Sequence, residues 1–410
     1  MSNSSSISHF LLLPLAHTRQ LQLLHFCLFL AISLAALLAN GLIISAVACG
    51  HLLHSPMFFF LLNLALSDLG SILTTVPKAM HNSLWDTRNI SYEGCAAQVF
   101  LFLFFISAEY FLLTVMCYDR YVSICKPLHY GTLLGSRACA HMAAAAWASA
   151  FLYALLHTAN TFSLPLCHGI SLGQFFCEVP HILKLSCSHS KLRELGITVV
   201  GASLASVCFV FIVFSYVQIF RAVLRIPSEQ GRHKAFSTCL PHLAVVSLFL
   251  SSGTFAYLKP PSISSPSLDL SVSVLYSVVP PALNPLIYSL RNQELKAAVY
   301  TLITRPFHNL CIVSLTCSHL LLFSDQQQKP CDFVLIFFLA MSSQKRYQPL
   351  SLAQFWPAAR PPSEPSAFGS AGHGGSFQQL PTGAICVVTL LPKTRLCQTN
   401  TACSAKLADF

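Results

Sequence analysis

The sequence predicts an all-α membrane protein, a seven-transmembrane helix bundle with its N-terminus outside. Composition is the first reason, because 54% of the 410 residues are hydrophobic and only 9% are charged, against roughly 25% charged in an average soluble domain. The second reason is that apolar runs recur at the length a bilayer requires, roughly 20 residues of helix. Helices are expected because backbone amides in hydrocarbon must be satisfied within their own segment, and the short alternating strands of a barrel are absent.

The chain contains seven such runs. They lie near 24–48, 57–80, 96–119, 141–160, 196–220, 237–257 and 271–290. The first must serve as its own insertion signal, since the apolar stretch from Phe10 to Leu15 is too short for a signal peptide and lacks a basic flank. Breaker residues separate several of the others, as at His54-Ser55-Pro56 before the second run and Ile226-Pro227-Ser228 before the sixth. In the seventh run, Pro285 removes a backbone donor and is expected to bend the helix.

The orientation follows from glycosylation sequons and charge. Asn3-Ser4-Ser5 and Asn89-Ile90-Ser91 fall in the N-terminus and the first outer loop if the N-terminus lies outside. The positive-inside bias is modest, because basic residues occur on both sides. The net charge of +10 suits inner loops that lie near anionic membrane lipid. No basic patch with interleaved aromatic residues argues for nucleic acid.

Four cysteines lie on the outer side of this topology. Cys95 stands at the start of the third run, and Cys167, Cys177 and Cys187 lie in the long loop after the fourth. Two disulfides in an oxidising compartment are the favoured interpretation. Free or zinc-bound thiols are the alternative, but the spacing matches no structural zinc pattern. Four cysteines allow three pairings, so spacing leaves the connectivity open.

Two carboxylates lie inside predicted spans, Asp68 in the second and Glu109 in the third. Charged groups inside a bilayer are costly, so both are candidates for a functional site, and we expect them to face each other. The alternative is a hydrogen-bonded contact that only fixes helix packing. A hydrolase with paired carboxylates is disfavoured because no water-activating group or substrate cleft is recognisable beside them.

Two long motifs lie at the inner ends of the third and sixth runs: residues 116–130 read MCYDRYVSICKPLHY, and residues 234–243 read KAFSTCLPHL. Both closely resemble motifs of vertebrate olfactory receptors, which are rhodopsin-like G-protein-coupled receptors. Residues 284–288 match the NPxxY pattern, and Asn40-Gly41 and the run that opens with Pro56-Met57 complete the set. The resemblance extends over residues of about 20 to 303, in order and at the spacing of the family.

The resemblance implies roles for individual residues. It implies the disulfides Cys95–Cys177 and Cys167–Cys187, and a buried sodium or proton site at Asp68 and Glu109. The inner-end switch for the G protein would comprise the motif Asp119-Arg120-Tyr121 and the residues Asn284, Pro285 and Tyr288. In the resting state Asp119 would hold Arg120; on activation Arg120 would meet the C-terminal helix of a G-protein α subunit.

A ligand site is expected in the outer half of the bundle, concave and mainly apolar. Leu103, Ile106 and Ser107 share a face of the third span, and Leu250, Thr254 and Tyr257 share a face of the sixth. By resemblance these positions border an odorant pocket, together with Val200 and Leu204 of the fifth span and Glu178 of the long loop. Ordinary helix packing is the alternative for each residue.

The implied function is that of an odorant receptor with no enzymatic activity, cofactor or metal. A small volatile odorant would stabilise the active state, which activates a stimulatory, olfactory-type G protein and raises cyclic AMP. The plasma membrane, in olfactory cilia, is the implied location. The main alternative is a nonfunctional receptor-like product. A seven-helix transporter is disfavoured because no internal repeat is visible, and a retinal pump because no lysine lies between Ser271 and Leu290.

The predicted division of the chain has four parts. Residues 1–23 form the outer N-terminus, 24–290 the seven-helix domain, 291–304 an amphipathic inner helix, and 305–410 a C-terminal extension. The extension is rich in Pro, Ser and Gly around residues 357–375, and we expect it to be mostly disordered. The favoured interpretation is an extension that is read through from non-coding sequence. The alternatives are an eighth membrane crossing and a partner-binding tail.

Overall fold

The fold is a bundle of membrane-spanning helices. The computed structural model describes residues 8–16, 18–49, 55–166, 169–186, 191–259, 265–291 and 293–304. Within these ranges, six helices are long and apolar enough to cross a membrane, and one bent pair of helices makes a seventh span. The predicted all-α fold with seven spans is therefore confirmed. Asn3, Cys167, Cys187 and the segment 305–410 lie outside the described residues, so the predictions made for them stay predictions.

The spanning helices are longer than the apolar runs that predicted them. The helices are α1 (Arg19–Cys49), α2 (Pro56–Trp85), α3 (Tyr92–Cys125), α4 (Tyr130–Leu133), α5 (Ser136–Phe162), α6 (Val179–Leu183), α7 (Lys191–Leu224), α8 (Glu229–Leu258), α9 (Pro266–Ser277), α10 (Val279–Arg291) and α11 (Gln293–Thr304). Hydropathy detects only their apolar middle, whereas caps set their ends: the Ser91 and Ser228 hydroxyls accept hydrogen bonds from the Gly94 and Gly231 amides, which begin α3 and α8.

Helix α3 lies at the centre of the bundle and contacts α2, α5, α7 and α8, while α10 contacts α1, α2 and α8. We call the end of the bundle that carries Cys95 the outer end, and the end that carries Arg120 the inner end. One apolar cluster fills the inner half, around Met116, Ile219 and Val245. A second fills part of the outer half, around Phe102, Phe176 and Tyr276.

The seventh span has a bend that was not predicted, and it lies before Pro285, the residue at which a bend was predicted. Helices α9 and α10 meet at Val278 with a bend of 43°. Pro280 and Pro281 follow directly, and because proline lacks an N–H, the carbonyls of Tyr276 and Ser277 four residues earlier lose their helical partners. Pro285 lies inside α10, and the carbonyl it leaves free, that of Pro281, accepts a hydrogen bond from Asn40 Nδ2 at 3.1 Å.

A small sheet at the outer end was not predicted. Strand β1 (His9–Leu11) pairs antiparallel with β2 (Asn89–Ser91), with Phe10 opposite Ile90. The same segment bonds the long loop, because Leu11 N donates to Ile170 O and Leu13 N to Gln174 O, both at 2.8 Å. We call residues 8–13 and 169–178 the roof. Asn89, the glycosylation candidate, is exposed in β2.

Candidate functional site

The two predicted carboxylates meet at one asparagine in the middle of the bundle. Asn284 Nδ2 donates to Asp68 Oδ1 at 3.1 Å and to Glu109 Oε1 at 2.8 Å. The three side chains are at most 2% exposed. An amide nitrogen carries two hydrogens, so this single group supplies a donor to both carboxylates and joins α2, α3 and α10.

Unpartnered oxygen atoms lie in this polar centre. Among the described residues, the amide oxygens of Asn284 and Asn40 and the hydroxyl of Tyr288 are buried without a hydrogen-bond partner. Buried polar groups are normally satisfied, so these atoms are open to water, a cation or a rearranged side chain. In the described part of the chain, no group of three or more His, Cys, Asp or Glu side chains is placed to hold a metal ion.

The inner end holds Arg120 in a closed arrangement. Arg120 Nε donates to Asp119 Oδ2 at 2.8 Å, and a second guanidinium nitrogen contacts the same oxygen. The Tyr130 hydroxyl donates to Asp119 Oδ1 at 2.8 Å. Both charged side chains are buried, which strengthens the pair relative to one in water. The Lys126 ammonium lies over the ring of Tyr121, the third residue of the motif, at 5.8 Å from the ring centroid.

A cavity of about 340 Å³ opens beside Arg120 at the inner end. Side chains of α3, α8, α10 and α11 line it, among them Arg120, Lys234, His242, Tyr288 and Glu294. The buried guanidinium therefore lies at the edge of a space that is reached from the inner end of the bundle.

Two further side chains at this end join three helices, and sequence reasoning missed their contact. The Tyr216 hydroxyl of α7 lies 2.6 Å from His242 Nδ1 of α8. His242 Nε2 lies 3.0 Å from the Leu113 carbonyl of α3. His242 belongs to the conspicuous KAFSTCLPHL stretch, but Tyr216 lies in the predominantly apolar fifth run and matches no motif that would have indicated its partner.

The outer end is held by the disulfide Cys95–Cys177, which links α3 to the roof with a Cα–Cα distance of 5.5 Å. This is the pairing that the resemblance implied. Gln98 reinforces it, because its Oε1 accepts from the Cys177 amide at 2.8 Å and its Nε2 donates to the Thr74 carbonyl at 2.9 Å. The loop is thereby fixed to both α2 and α3.

Replacing Cys177 by serine is expected to lower the free energy of unfolding by about 2–5 kcal/mol, as for other native disulfides, because the bond closes a loop with a sequence separation of 82. Thermal unfolding in detergent and surface expression measure the loss. Cys27→Ser is the matched control, since Cys27 is a free, exposed cysteine of α1. Equal melting temperatures for the two variants would show that the bond does not hold the roof.

Glu178 connects the roof to α8 and α9. Its Oε1 accepts from the Tyr257 hydroxyl at 2.6 Å and from the Tyr276 hydroxyl, and Gln174 Nε2 lies 3.4 Å from its Oε2. Burial raises the pKa of the Glu178 carboxyl, and these hydrogen bonds oppose that shift. Tyr276 and Gln174 were not predicted to take part.

His181, beside this cluster in α6, makes stability depend on pH. Burial, together with Lys184 and Lys259, lowers the pKa of His181 from 6.5 to about 4. Because this pKa is lowered, the folded state favours the neutral form of His181. The contribution of His181 to the stability of the folded state is therefore present above pH 6.5 and is lost as the pH falls towards 4.

The melting temperature should therefore fall between about pH 7 and about pH 5, and His181→Gln should make that fall smaller. The raised pKa of Glu178 acts in the opposite direction, because its contribution is lost as the pH rises. The comparison of variant with wild type isolates the His181 part. An identical pH dependence in both proteins would contradict the assignment.

The residues predicted to border the outer site are only partly brought together. Leu103, Ile106 and Ser107 are half-buried on α3, and Leu250 is half-buried on α8. Tyr257 reaches Glu178 although the residue is 54% exposed, and Thr254 is also exposed. Their role in a pocket stays a prediction.

Val200 and Leu204 are 50% and 45% exposed on α7, on a different side of the helix from Tyr216. Helical spacing places Phe209, Ala205 and Ala202 on the Tyr216 side instead. Ala205 makes a contact with the central helix, because its carbonyl accepts from the Tyr110 hydroxyl at 2.8 Å. Tyr110 was missed by sequence reasoning, since a tyrosine within an apolar run gives no sign of its partner.

Comparison with known proteins gives a consistent family. The family model described as olfactory receptor matches residues 26–305. Olfactory receptor 14J1 of Homo sapiens is 47% identical over 315 residues, which cover 76% of this chain and 98% of that protein. Olfactory receptor 14C36 of Homo sapiens is 45% identical over 309 residues, which cover 75% of this chain and 99% of that protein. Since the matched region contains the central carboxylates, the inner Arg120 cavity and the disulfide Cys95–Cys177, this multi-pass membrane chain belongs to the olfactory receptor family of G-protein-coupled receptors and is not an enzyme.

Proposed function

We propose that this odorant receptor binds a small, volatile, largely apolar molecule in the outer half of the bundle and activates a stimulatory, olfactory-type G protein, raising cyclic AMP. The ligand acts by binding the active arrangement more tightly than the resting one. No covalent change occurs in the receptor. The observation that carries the proposal is the buried Asp119–Arg120 pair beside the inner cavity.

The Asp119–Arg120 pair has the features expected of a contact that stabilises the resting state. Asp119 uses both carboxylate oxygens, one on Arg120 and one on Tyr130. Arg120 can leave this position only if the pair is broken, and the adjacent cavity offers space for an incoming backbone or carboxylate. Charge-assisted hydrogen bonds from a guanidinium to such groups are among the strong ones in proteins, so a released Arg120 suits contact with the C-terminal helix of a G-protein α subunit.

The polar centre supports a relay from the outer to the inner half. Asn284 connects Asp68 to Glu109, and four residues further along α10 the Tyr288 hydroxyl is buried near Arg120 without a partner among the described residues. We propose that the two carboxylates hold a proton or a sodium ion in the resting state. Oxygen atoms are the ligands that hard cations take, and moving α10 would change their spacing.

The outer residues support ligand binding by the chemistry of their side chains. Leu103, Ile106 and Leu250 supply apolar surface, and Ser107, Thr254, Tyr257 and Glu178 supply polar groups, which is the usual make-up of a small-molecule site. Val200 and Leu204 remain proposed ligand residues. We also propose glycans at Asn3 and at the exposed Asn89, a second disulfide Cys167–Cys187, a location in the plasma membrane of olfactory cilia, and a tail at 305–410 outside the receptor domain.

To test the proposal, the full chain is expressed in cells together with the olfactory G protein. Cyclic AMP is then measured while a broad panel of volatile compounds is applied one by one. At least one compound is expected to raise cyclic AMP in a dose-dependent manner, and the response should disappear without the G protein. A receptor that reaches the surface, yet shows neither a response nor a basal signal, would favour the nonfunctional receptor-like product.

A further inference from the structure

The contacts between α7 and α8 lie in the inner half of the bundle. Tyr216 of α7 bonds His242 and the Cys239 carbonyl of α8, and the rings of Phe220 and Phe236 lie 6.2 Å apart. These contacts define which face of each helix is turned towards the other. The same faces can then be followed outwards by helical spacing.

On α7, the face of Tyr216 continues outwards through residues 7, 11 and 14 positions earlier, which are Phe209, Ala205 and Ala202. All three are exposed. On α8, the face of Phe236 continues through Ser247, Leu250 and Thr254, of which Ser247 and Thr254 are exposed. The α7 face that meets α8 at the inner end is therefore open to its surroundings at the outer end, and so is the edge of α8 that continues from Phe236. The α8 face of His242 continues instead through the buried Val246 and the half-buried Phe249. We call the space between the open α7 face and the open α8 edge the seam.

Tyr110 of the central helix lies at the inner limit of the seam. Its hydroxyl donates to the Ala205 carbonyl of α7, and its ring stacks on Phe249 of α8 at 5.7 Å. The residues one and two turns further out on the same face of α3 are Ser107, Ile106 and Leu103, which are partly exposed although α3 is the central helix. The seam therefore leads to the part of α3 assigned to the ligand.

The opposite boundary, the roof, is closed. Phe10, Phe176 and Cys177 are completely buried. Backbone hydrogen bonds connect residues 8–13 to the long loop, and the disulfide fixes that loop to α3. Glu178 then connects the roof to Tyr257 and Tyr276. A direct route from outer water would have to break several of these contacts at once.

We propose that ligands reach the outer site laterally from the bilayer, through the seam between α7 and α8, rather than through the roof. Small side chains at Ala202, Ala205, Ser247 and Thr254 leave a passage, and Tyr110 limits how far a molecule can move towards the inner end. The inference rests on the proposed odorant site and deepens it. The ligands that it selects are uncharged molecules that partition into lipid, since a charged group inside the bilayer is costly.

Cysteine labelling of the full-length chain in proteoliposomes tests the route without an odorant or a G protein. Ser107→Cys places a thiol at the end of the seam. N-ethylmaleimide, small and uncharged, probes access from lipid; methanethiosulfonate ethyltrimethylammonium, permanently charged, probes access from outer water. Peptide mapping by mass spectrometry separates the introduced thiol from the native cysteines, and the exposed Cys27 of α1 reports the amount of reagent in the membrane.

The decisive comparison adds tryptophan at neighbouring positions of α7. Ala202→Trp lies on the seam. Ser203→Trp is the control, because Ser203 is the next residue, is also exposed, and points about 100° away from Ala202 around the helix. We expect N-ethylmaleimide to label the introduced thiol about tenfold more slowly with Ala202→Trp, within the roughly one to three decades over which association rates vary among mutants of one interface. With Ser203→Trp the labelling rate should stay nearly unchanged. The charged reagent should react with this thiol far more slowly than N-ethylmaleimide in every variant.

Should Ala202→Trp fail to fold, Thr254→Trp on the facing helix is expected to slow labelling to the same extent. Rapid labelling of the introduced thiol by the charged reagent, or equal rates for Ala202→Trp and Ser203→Trp, would overturn the lateral route. Because the assay needs no signalling, the route can fail while the cyclic AMP response persists, and the two proposals are separately testable.

Discussion

Replacing Arg120 by alanine is expected to abolish signalling while the receptor still reaches the cell surface. Arg120 is the charged group held by Asp119 at the edge of the inner cavity. Hydrogen bonds to charged groups contribute about 1.5–3 kcal/mol each, so losing two in the activated complex corresponds to a fall in coupling of at least about a hundredfold. Cyclic AMP at matched surface expression measures the effect.

The matched control for this prediction is Arg137→Ala. Arg137 is an exposed arginine at the inner end, in the first turn of α5, so this variant removes the same charge without touching the cavity. It should retain most of the response. Equal responses for the two variants at equal expression would show that Arg120 is only an interfacial anchor.

Replacing Asn284 by leucine is expected to cause the largest loss of stability in the bundle. The change removes both donors of an amide that serves two buried carboxylates. Each buried acceptor left unsatisfied costs about 1–3 kcal/mol, and more if it is charged. We expect little receptor at the surface and a clearly lower melting temperature in detergent. Asn82→Leu, at a half-buried position of α2, controls for the change of side-chain type.

A double variant distinguishes this explanation from simple misfit of the leucine. Adding Glu109→Gln to Asn284→Leu replaces one carboxylate by an amide that can itself donate to Asp68. The double variant should recover part of the lost stability, with a coupling of about 0.5–3 kcal/mol, as found for residues in one network. Purely additive losses would mean that the polar centre does not act as a unit.

The spans could be predicted from the sequence because a long apolar run is a local signal. The two buried carboxylates could be singled out because a charged group inside a bilayer is costly. A run of about 20 apolar residues has few alternatives to a transmembrane helix. The family resemblance favoured the expectation that these carboxylates, Asp68 and Glu109, face each other. They share Asn284 in the structure, and that geometry depends on the depth and rotation of α10, which no local pattern encodes.

Other features depend on tertiary contacts. Helix α7 is apolar on all sides because it faces both lipid and protein, so it lacks the periodicity that would show which face is turned inwards. The sequence alone therefore does not show on which side of α7 Val200 and Leu204 lie. The three-residue strands β1 and β2 are too short to show alternation. The bend at Val278 was not predicted. The adjacent prolines Pro280 and Pro281 lack the N–H groups that would continue the helical hydrogen bonds across it, whereas the prediction concerned only Pro285 of the NPxxY motif.

The central claim, that a ligand in the outer half drives G-protein activation through Arg120, is tested most directly by nucleotide exchange. The full-length receptor in lipid nanodiscs is mixed with a purified stimulatory heterotrimer, and exchange on the α subunit is timed with and without a compound active in the cyclic AMP panel. We predict faster exchange with wild-type receptor plus ligand, and basal exchange with Arg120→Ala. Ligand-stimulated exchange that persists in the Arg120→Ala receptor, or exchange that wild-type receptor and ligand do not change, would contradict the claim.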